Sequence, residues 1–219
     1  MIRILVVDDH RLFRMGLVRM LRDVKGLQIL GEAATGEEAI SKAREMKPNI
    51  VLMDIIMPGI GGIEATRRIV CSNPDVKVIA LTACNEDPFP LQMLKAGASG
   101  YLTKEIDPDE LNLAIRKVFL GKRYLCAEVA QHLAIRTFDD HESPFEQLSS
   151  REMQIMMMVI NCQKVSSISV NLHLSPKTVN SYRYRIFEKL NVSSDVELAL
   201  LAVRHGMVGP RVQHAAHSL

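Results

Sequence analysis

The chain has 219 residues, 47% apolar and 24% charged, with a formal net charge of +2. That length suits one or two domains, and the composition is globular rather than disordered. No apolar run approaches the ~18 residues of a membrane span, Met1-Ile2-Arg3 has no signal-peptide layout, and Cys71, Cys84, Cys126 and Cys162 form no CxxC pair. The cysteine pattern argues against a disulfide framework or a thiolate metal site and fits a reducing cytoplasm.

From the start, buried-strand patterns alternate with helical ones. Strands are expected near 3–8, 27–31, 50–54, 77–82 and 99–102, and helices near 10–23, 36–46, 63–72, 89–97 and 107–120. This alternation predicts an α/β domain with a doubly wound, five-stranded parallel sheet. Thr35-Gly36-Glu37-Glu38 has the form of a capping box opening the second helix.

Polar residues follow four of these strands. Asp8 and Asp9 end Ile4-Leu5-Val6-Val7, Asp54 ends Ile50-Val51-Leu52-Met53, Thr82 ends Val78-Ile79-Ala80-Leu81, and Lys104 follows Tyr101-Leu102-Thr103. In open α/β sheets, function gathers at the carboxyl ends of strands. Alone, each residue has an ordinary reading: aspartate as a turn residue, threonine as a strand former, lysine as a solvated loop residue. Together they describe a Mg²⁺ and phosphoryl site. A carboxylate can attack phosphorus to give an acyl phosphate, but two anions repel each other. Asp54 as nucleophile, Asp8 and Asp9 as Mg²⁺ anchors, Lys104 as a mobile cation and Thr82 as a hydroxyl donor meet that requirement.

Asp8-Asp9, Asp54-Ile55-Ile56-Met57-Pro58-Gly59, Thr82-Ala83, Lys95-Ala96-Gly97-Ala98 and Tyr101-Leu102-Thr103-Lys104 resemble the receiver domain of response regulators, over residues 2–122. The resemblance implies a flavodoxin-like fold and phosphotransfer to Asp54 from a sensor histidine kinase, here expected to be of the hybrid type. It implies that the backbone carbonyl of Ile56 joins Asp8, Asp9 and Asp54 around Mg²⁺. It also implies that Tyr101 swings inward when Thr82 engages the phosphate. Glu105 stands where receivers often have proline. Ile56 and Cys84 would border the approach of a hydrolytic water. Neither side chain orients water well, so slow autodephosphorylation is expected rather than dedicated enzyme activity. Aspartyl-phosphate phosphatases share Asp, Mg²⁺, Thr and Lys, but need an acid/base where this chain has Ile56.

Residues 1–123 are thus read as the receiver and 124–147 as a linker. The stretch 126–148 carries Arg136 against Glu128, Asp139, Asp140, Glu142 and Glu146, and Phe138–Pro144 is polar and broken by proline. From 149 onward eight basic residues face four acidic ones. Four short helices are expected there. Ser149-Ser150-Arg151-Glu152 is a capping box for the first, and the second spans about 165–172. Ser175 and Pro176 start the third, Ser194 caps the fourth, and Gly206 stops it. The third, 176–190, has four cations against Glu188 alone. That balance suits a helix-turn-helix recognition element, although a basic solvated helix would look the same.

Leu148–Glu152, Leu174–Val179 and Lys189-Leu190-Asn191-Val192 resemble the LuxR-type four-helix domain of NarL/FixJ regulators, over 148–207. Within that family, Cys162–Val165 and Ser181–Phe187 look like the GacA/UvrY/LetA group. The resemblance points Asn180, Ser181 and Tyr184 toward bases, while Lys177, Thr178, Arg183, Arg185 and Lys189 are candidates for phosphate contacts. It implies a transcription factor that acts as a homodimer on promoter DNA, with a dimer seam on the last helix, small regulatory RNA genes as targets and RNA polymerase as a further contact. A signalling module gripping a protein through its C-terminal domain is the alternative. Met153, Met156, Met157 and Met158 are read as core filling, the scattered histidines as non-ligands, and 208–219 as a disordered tail.

Overall fold

The computed structural model describes residues 1–83, 89–136, 143–205 and 207, and of 132, 135 and 136 the backbone alone. Cys84, residues 137–142 of the expected linker, Gly206 and the tail 208–219 lie outside the described residues.

Six parallel strands form one sheet in the order β2-β1-β3-β4-β5-β6. They are β1 (Ile2–Val7), β2 (Leu27–Ala33), β3 (Ile50–Met53), β4 (Lys77–Thr82), β5 (Gly100–Thr103) and β6 (Tyr124–Leu125). The central strands β1, β3 and β4 are almost wholly buried, which is why they read as continuous apolar runs. Helices α1 (Arg11–Arg22), α2 (Gly36–Met46), α3 (Gly61–Ser72), α4 (Phe89–Lys95) and α5 (Pro108–Phe119) cross between strands. The sheet has one strand more than the sequence predicts. Tyr124 and Leu125 pair with Gly100 and Tyr101 at the edge, and two residues are too few to show a strand period.

The chain continues through α6 (Ala127–Arg136), a helix inside the segment read as a linker, and a 3₁₀ turn (Pro144–Gln147) whose Phe145 is fully buried. Four helices follow, as the sequence predicts: α7 (Ser150–Ile160), α8 (Val165–Leu172), α9 (Pro176–Leu190) and α10 (Asp195–Arg204). The Ser149 capping box is complete: Glu152 N–H donates to the Ser149 hydroxyl (3.3 Å), and Ser149 N–H to the Glu152 carboxylate (2.8 Å). At α2, Thr35 caps Glu38 N–H as expected (3.2 Å), but the Glu38 carboxylate takes the N–H of Ala34 instead (2.8 Å). The four α7 methionines are all buried, as the core-filling reading expects, with Met153 and Met157 on the side that faces the receiver. No described helix is long and apolar enough to cross a membrane.

Candidate phosphoacceptor site and nucleic-acid interface

The strand ends bring the predicted residues to one edge of the sheet. Asp8 follows β1, Asp54 follows β3, Thr82 ends β4 and Lys104 follows β5. Carboxylate oxygens of Asp8, Asp9 and Asp54 lie within 4.8 Å of one another, with Asp8 and Asp54 buried and Asp9 exposed. The Lys104 ammonium bridges the two buried ones, 2.6 Å from Asp8 and 2.8 Å from Asp54. It also lies 4.8 Å from the centre of the Phe13 ring. The remaining Asp54 oxygen accepts from Ile55 N–H at 2.7 Å. Thr82 and Tyr101 are both buried, so the Tyr101 ring already lies inward.

Burial makes this cluster uncomfortable. It raises the pKa of Asp54 to about 6, with the Asp8 charge adding to the effect and Lys104 opposing it. Asp9 is also raised, first by burial and then by Asp8. Burial works against the Lys104 charge, yet Asp54 and Asp8 outweigh it and hold its pKa above the ordinary lysine value. Three hard oxygen donors with too little positive charge among them fit a small divalent cation.

The loop after Asp54 is held from both sides. Gly59 has φ +77°, and a side chain there would run into the Glu37 carboxylate, which accepts from Ile60 N–H at 3.0 Å. From the helical domain, Gln154 on α7 donates to the Met57 carbonyl (2.7 Å) and Arg151 donates to the Gly59 carbonyl. Gly59 N–H donates to the Asn171 carbonyl at 3.3 Å. Beneath these bonds, Ile55, Ile56, Ile60 and Phe89 share an apolar pocket with Met153 and Met157. The segment that starts at Asp54 therefore ends on the helical domain. Sequence reasoning missed this, because the partners are backbone carbonyls more than ninety residues away.

On α9, Val179, Ile186 and Leu190 are buried, while Lys177, Ser181, Tyr184 and Arg185 are exposed. Two of the predicted phosphate contacts are engaged inside the domain. Arg183 pairs with Asp195 at 2.5 Å and donates to the Asn180 side-chain oxygen at 2.9 Å. Lys189 pairs with the buried Glu152 at 2.7 Å. These pairs tie α9 to the rest of its domain while Lys189 itself stays exposed, and Asn180 and Thr178 are only partly exposed. Among the described residues, no receiver contact buries Lys177, Ser181, Tyr184 or Arg185.

Residues 4–116 match the family model for the response regulator receiver domain, and residues 146–202 that for bacterial regulatory proteins of the luxR family. The chain is 61% identical over 210 residues to the response regulator GacA of Pseudomonas viridiflava, covering 95% of this chain and 98% of that protein. The chain belongs to the response regulators with a LuxR-type output domain. This regulator is also 52% identical over 209 residues to the response regulator UvrY of Escherichia coli strain K12, covering 94% and 96% of the two chains. Its fold matches a structure of the RcsB response regulator of Salmonella typhimurium with a TM-score of 0.72 at 21% identity, over 93% of this chain and 97% of that one. The regulator thus joins a receiver to a LuxR-type DNA-binding domain.

Proposed function

We propose that the regulator is a cytoplasmic transcription factor switched by phosphotransfer from a hybrid sensor histidine kinase to Asp54. The observation that carries this reading is the buried Asp54 carboxylate, held by Lys104 at 2.8 Å and ringed by Asp8 and Asp9. Asp8, Asp9, Asp54 and the Ile56 carbonyl would hold Mg²⁺, which when bound neutralises charge on the carboxylates and the incoming phosphoryl group. Asp54 supplies the attacking oxygen, and the P–N bond of the kinase phosphohistidine breaks with the imidazole as leaving group. Lys104 leaves Asp8 for a phosphoryl oxygen, and Thr82 donates its hydroxyl to another. Ile56 offers no group to orient a hydrolytic water, so the acyl phosphate is long-lived.

The output reading rests on the exposed face of α9. Lys177, Arg183, Arg185 and Lys189, with Thr178 at the helix start, contact phosphates; Ser181, Tyr184 and Asn180 read base edges. Val196, Leu200 and Val203 form an exposed apolar stripe on α10 that serves as the dimer seam on DNA. Because the α9 face stays open while α7 is held, phosphorylation acts by changing how the helical domain is carried rather than by uncovering it. The targets are promoters of small regulatory RNA genes, with RNA polymerase as a further contact.

Incubating the protein with a small phosphodonor and Mg²⁺, followed by mass spectrometry, tests the acceptor. Label belongs on Asp54 alone and disappears in Asp54→Asn. Persistent wild-type labelling in that variant overturns the assignment. Genome-wide occupancy of wild type against Asp54→Ala then reports the targets.

A further inference from the structure

We propose that Arg14 is a positioning residue for the phosphoacceptor site, its guanidinium fixing the Asp8–Asp9 turn in the shape that admits a divalent cation. The proposal rests on the phosphoacceptor reading above. It concerns a residue that neither carries charge into the site nor touches the reacting group.

Arg14 lies on the first turn of α1. Its Nη1 donates to the main-chain carbonyl of Asp8 at 2.5 Å, and its Nε donates to Glu32 on β2 at 3.1 Å. The side chain is only 15% exposed. Asp8 is fastened at every other polar atom as well. Its N–H donates to Ala33, one carboxylate oxygen accepts from His10 N–H at 2.8 Å, and the other meets Lys104. The Lys104 bond must break when that lysine turns to a phosphoryl oxygen. The Arg14 bond need not, since it leads away from the site to the second strand.

The turn requires such a fastening for two reasons. It carries two of three carboxylates crowded within 4.8 Å, whose repulsion spreads it apart. It also lacks the usual local fastening of a helix start, because His10 at the N-cap makes no side-chain capping bond. A planar guanidinium holds a carbonyl and a carboxylate on a rigid fork with fixed directions, whereas an ammonium's rotatable donors set no such geometry. Outer partners that orient metal ligands typically contribute about 10–100-fold to affinity. A single bond to a main-chain carbonyl belongs at the lower end, about tenfold.

Charge alone predicts the opposite sign. A cation beside a divalent site repels the incoming ion, so removing it tightens binding. Pairing with Glu32 cancels most of that repulsion and leaves the geometric role dominant.

The test is Mg²⁺ affinity of the unphosphorylated full chain by titration calorimetry, with circular dichroism to confirm folding. Arg14→Met, which keeps length and packing, should weaken binding about tenfold. Arg14→Lys keeps the charge but loses the fork, and should recover part of the loss, to within about threefold of wild type. Arg14→Met binding Mg²⁺ as tightly as wild type, or tighter, overturns the proposal, whatever its thermal stability. If Arg14→Met does not fold, Arg14→Lys decides: wild-type affinity there overturns the proposal. A wild-type protein that binds no Mg²⁺ removes the phosphoacceptor reading itself, an outcome distinct from either.

Discussion

Replacing Asp54 by asparagine should make the metal-free protein more stable at neutral pH, although it destroys the acceptor. Asp54 is buried and its pKa is raised from 3.8 to about 6. For an acid, a folded-state pKa above the unfolded one means the native state holds its proton longer. Above about pH 6 both states are ionised and the native state bears the full penalty. That penalty is about 3 kcal/mol, from a shift of about two units at ~1.4 kcal/mol each. Between about pH 6 and pH 4 the penalty fades as the native carboxyl protonates, and below about pH 3.8 it is gone. The bonds from Lys104 and Ile55 are already counted in the net shift, and asparagine keeps an oxygen for Ile55 N–H. Urea unfolding of wild type and Asp54→Asn in a chelator, at about pH 8 and pH 4, reads the difference directly. The expected gain is about 2–3 kcal/mol at the higher pH, and it should be lost at the lower. A variant that is less stable than wild type at pH 8, or a gain that does not depend on pH, would refute the argument. The first result would mean that the Lys104 pair outweighs burial.

Gln154→Ala removes one hydrogen bond between α7 and the Met57 carbonyl. At about 1 kcal/mol, this should shift the docked population about fivefold and tighten DNA binding by the unphosphorylated protein by up to that factor in mobility-shift titrations. Unchanged DNA affinity in that variant would detach the α7 contact from control. Lys177→Ala and Arg185→Ala should each reduce the slope of log affinity against log salt by about 1 per monomer. Lys189→Ala should also lower the melting temperature of the helical domain, because the buried Glu152 loses its counter-charge. Cys162 follows α7 with φ +58°, so Cys162→Gly should raise stability by about 0.5–1 kcal/mol in thermal unfolding.

The receiver was legible because buried parallel strands are continuous apolar runs, and the first polar residue after each one marks the sheet edge. Asp8, Asp54, Thr82 and Lys104 were found in this way, without contact information. The last receiver strand was not legible. Tyr124-Leu125 gains its identity only by pairing with Gly100 and Tyr101, and α6 follows it in a segment that composition marked as acidic linker. Three of the four output helices, α7, α9 and α10, showed through their serine caps, which are local. Ion pairs are not local. Asp195 lies 12 residues from Arg183 and Glu152 lies 37 from Lys189, so a charge count on α9 shows neither pair. Arg14 escaped notice for the same reason, since its partners are a main-chain carbonyl and a side chain on the next strand.

The segment from Asp54 to Gly59 is shared property: one end takes the phosphoryl group and the other is bonded to α7. Sharing of this kind is symmetric in free energy. If phosphate alters the grip on α7 by some factor, then promoter DNA that prefers the released helical domain favours phosphate on Asp54 by the same factor. A bound promoter is therefore an effector of the acceptor site as well as its readout. Phosphorylated regulators would gather on operators that favour the released helical domain, so occupancy and phosphorylation would rise together along a genome even under a uniform kinase signal.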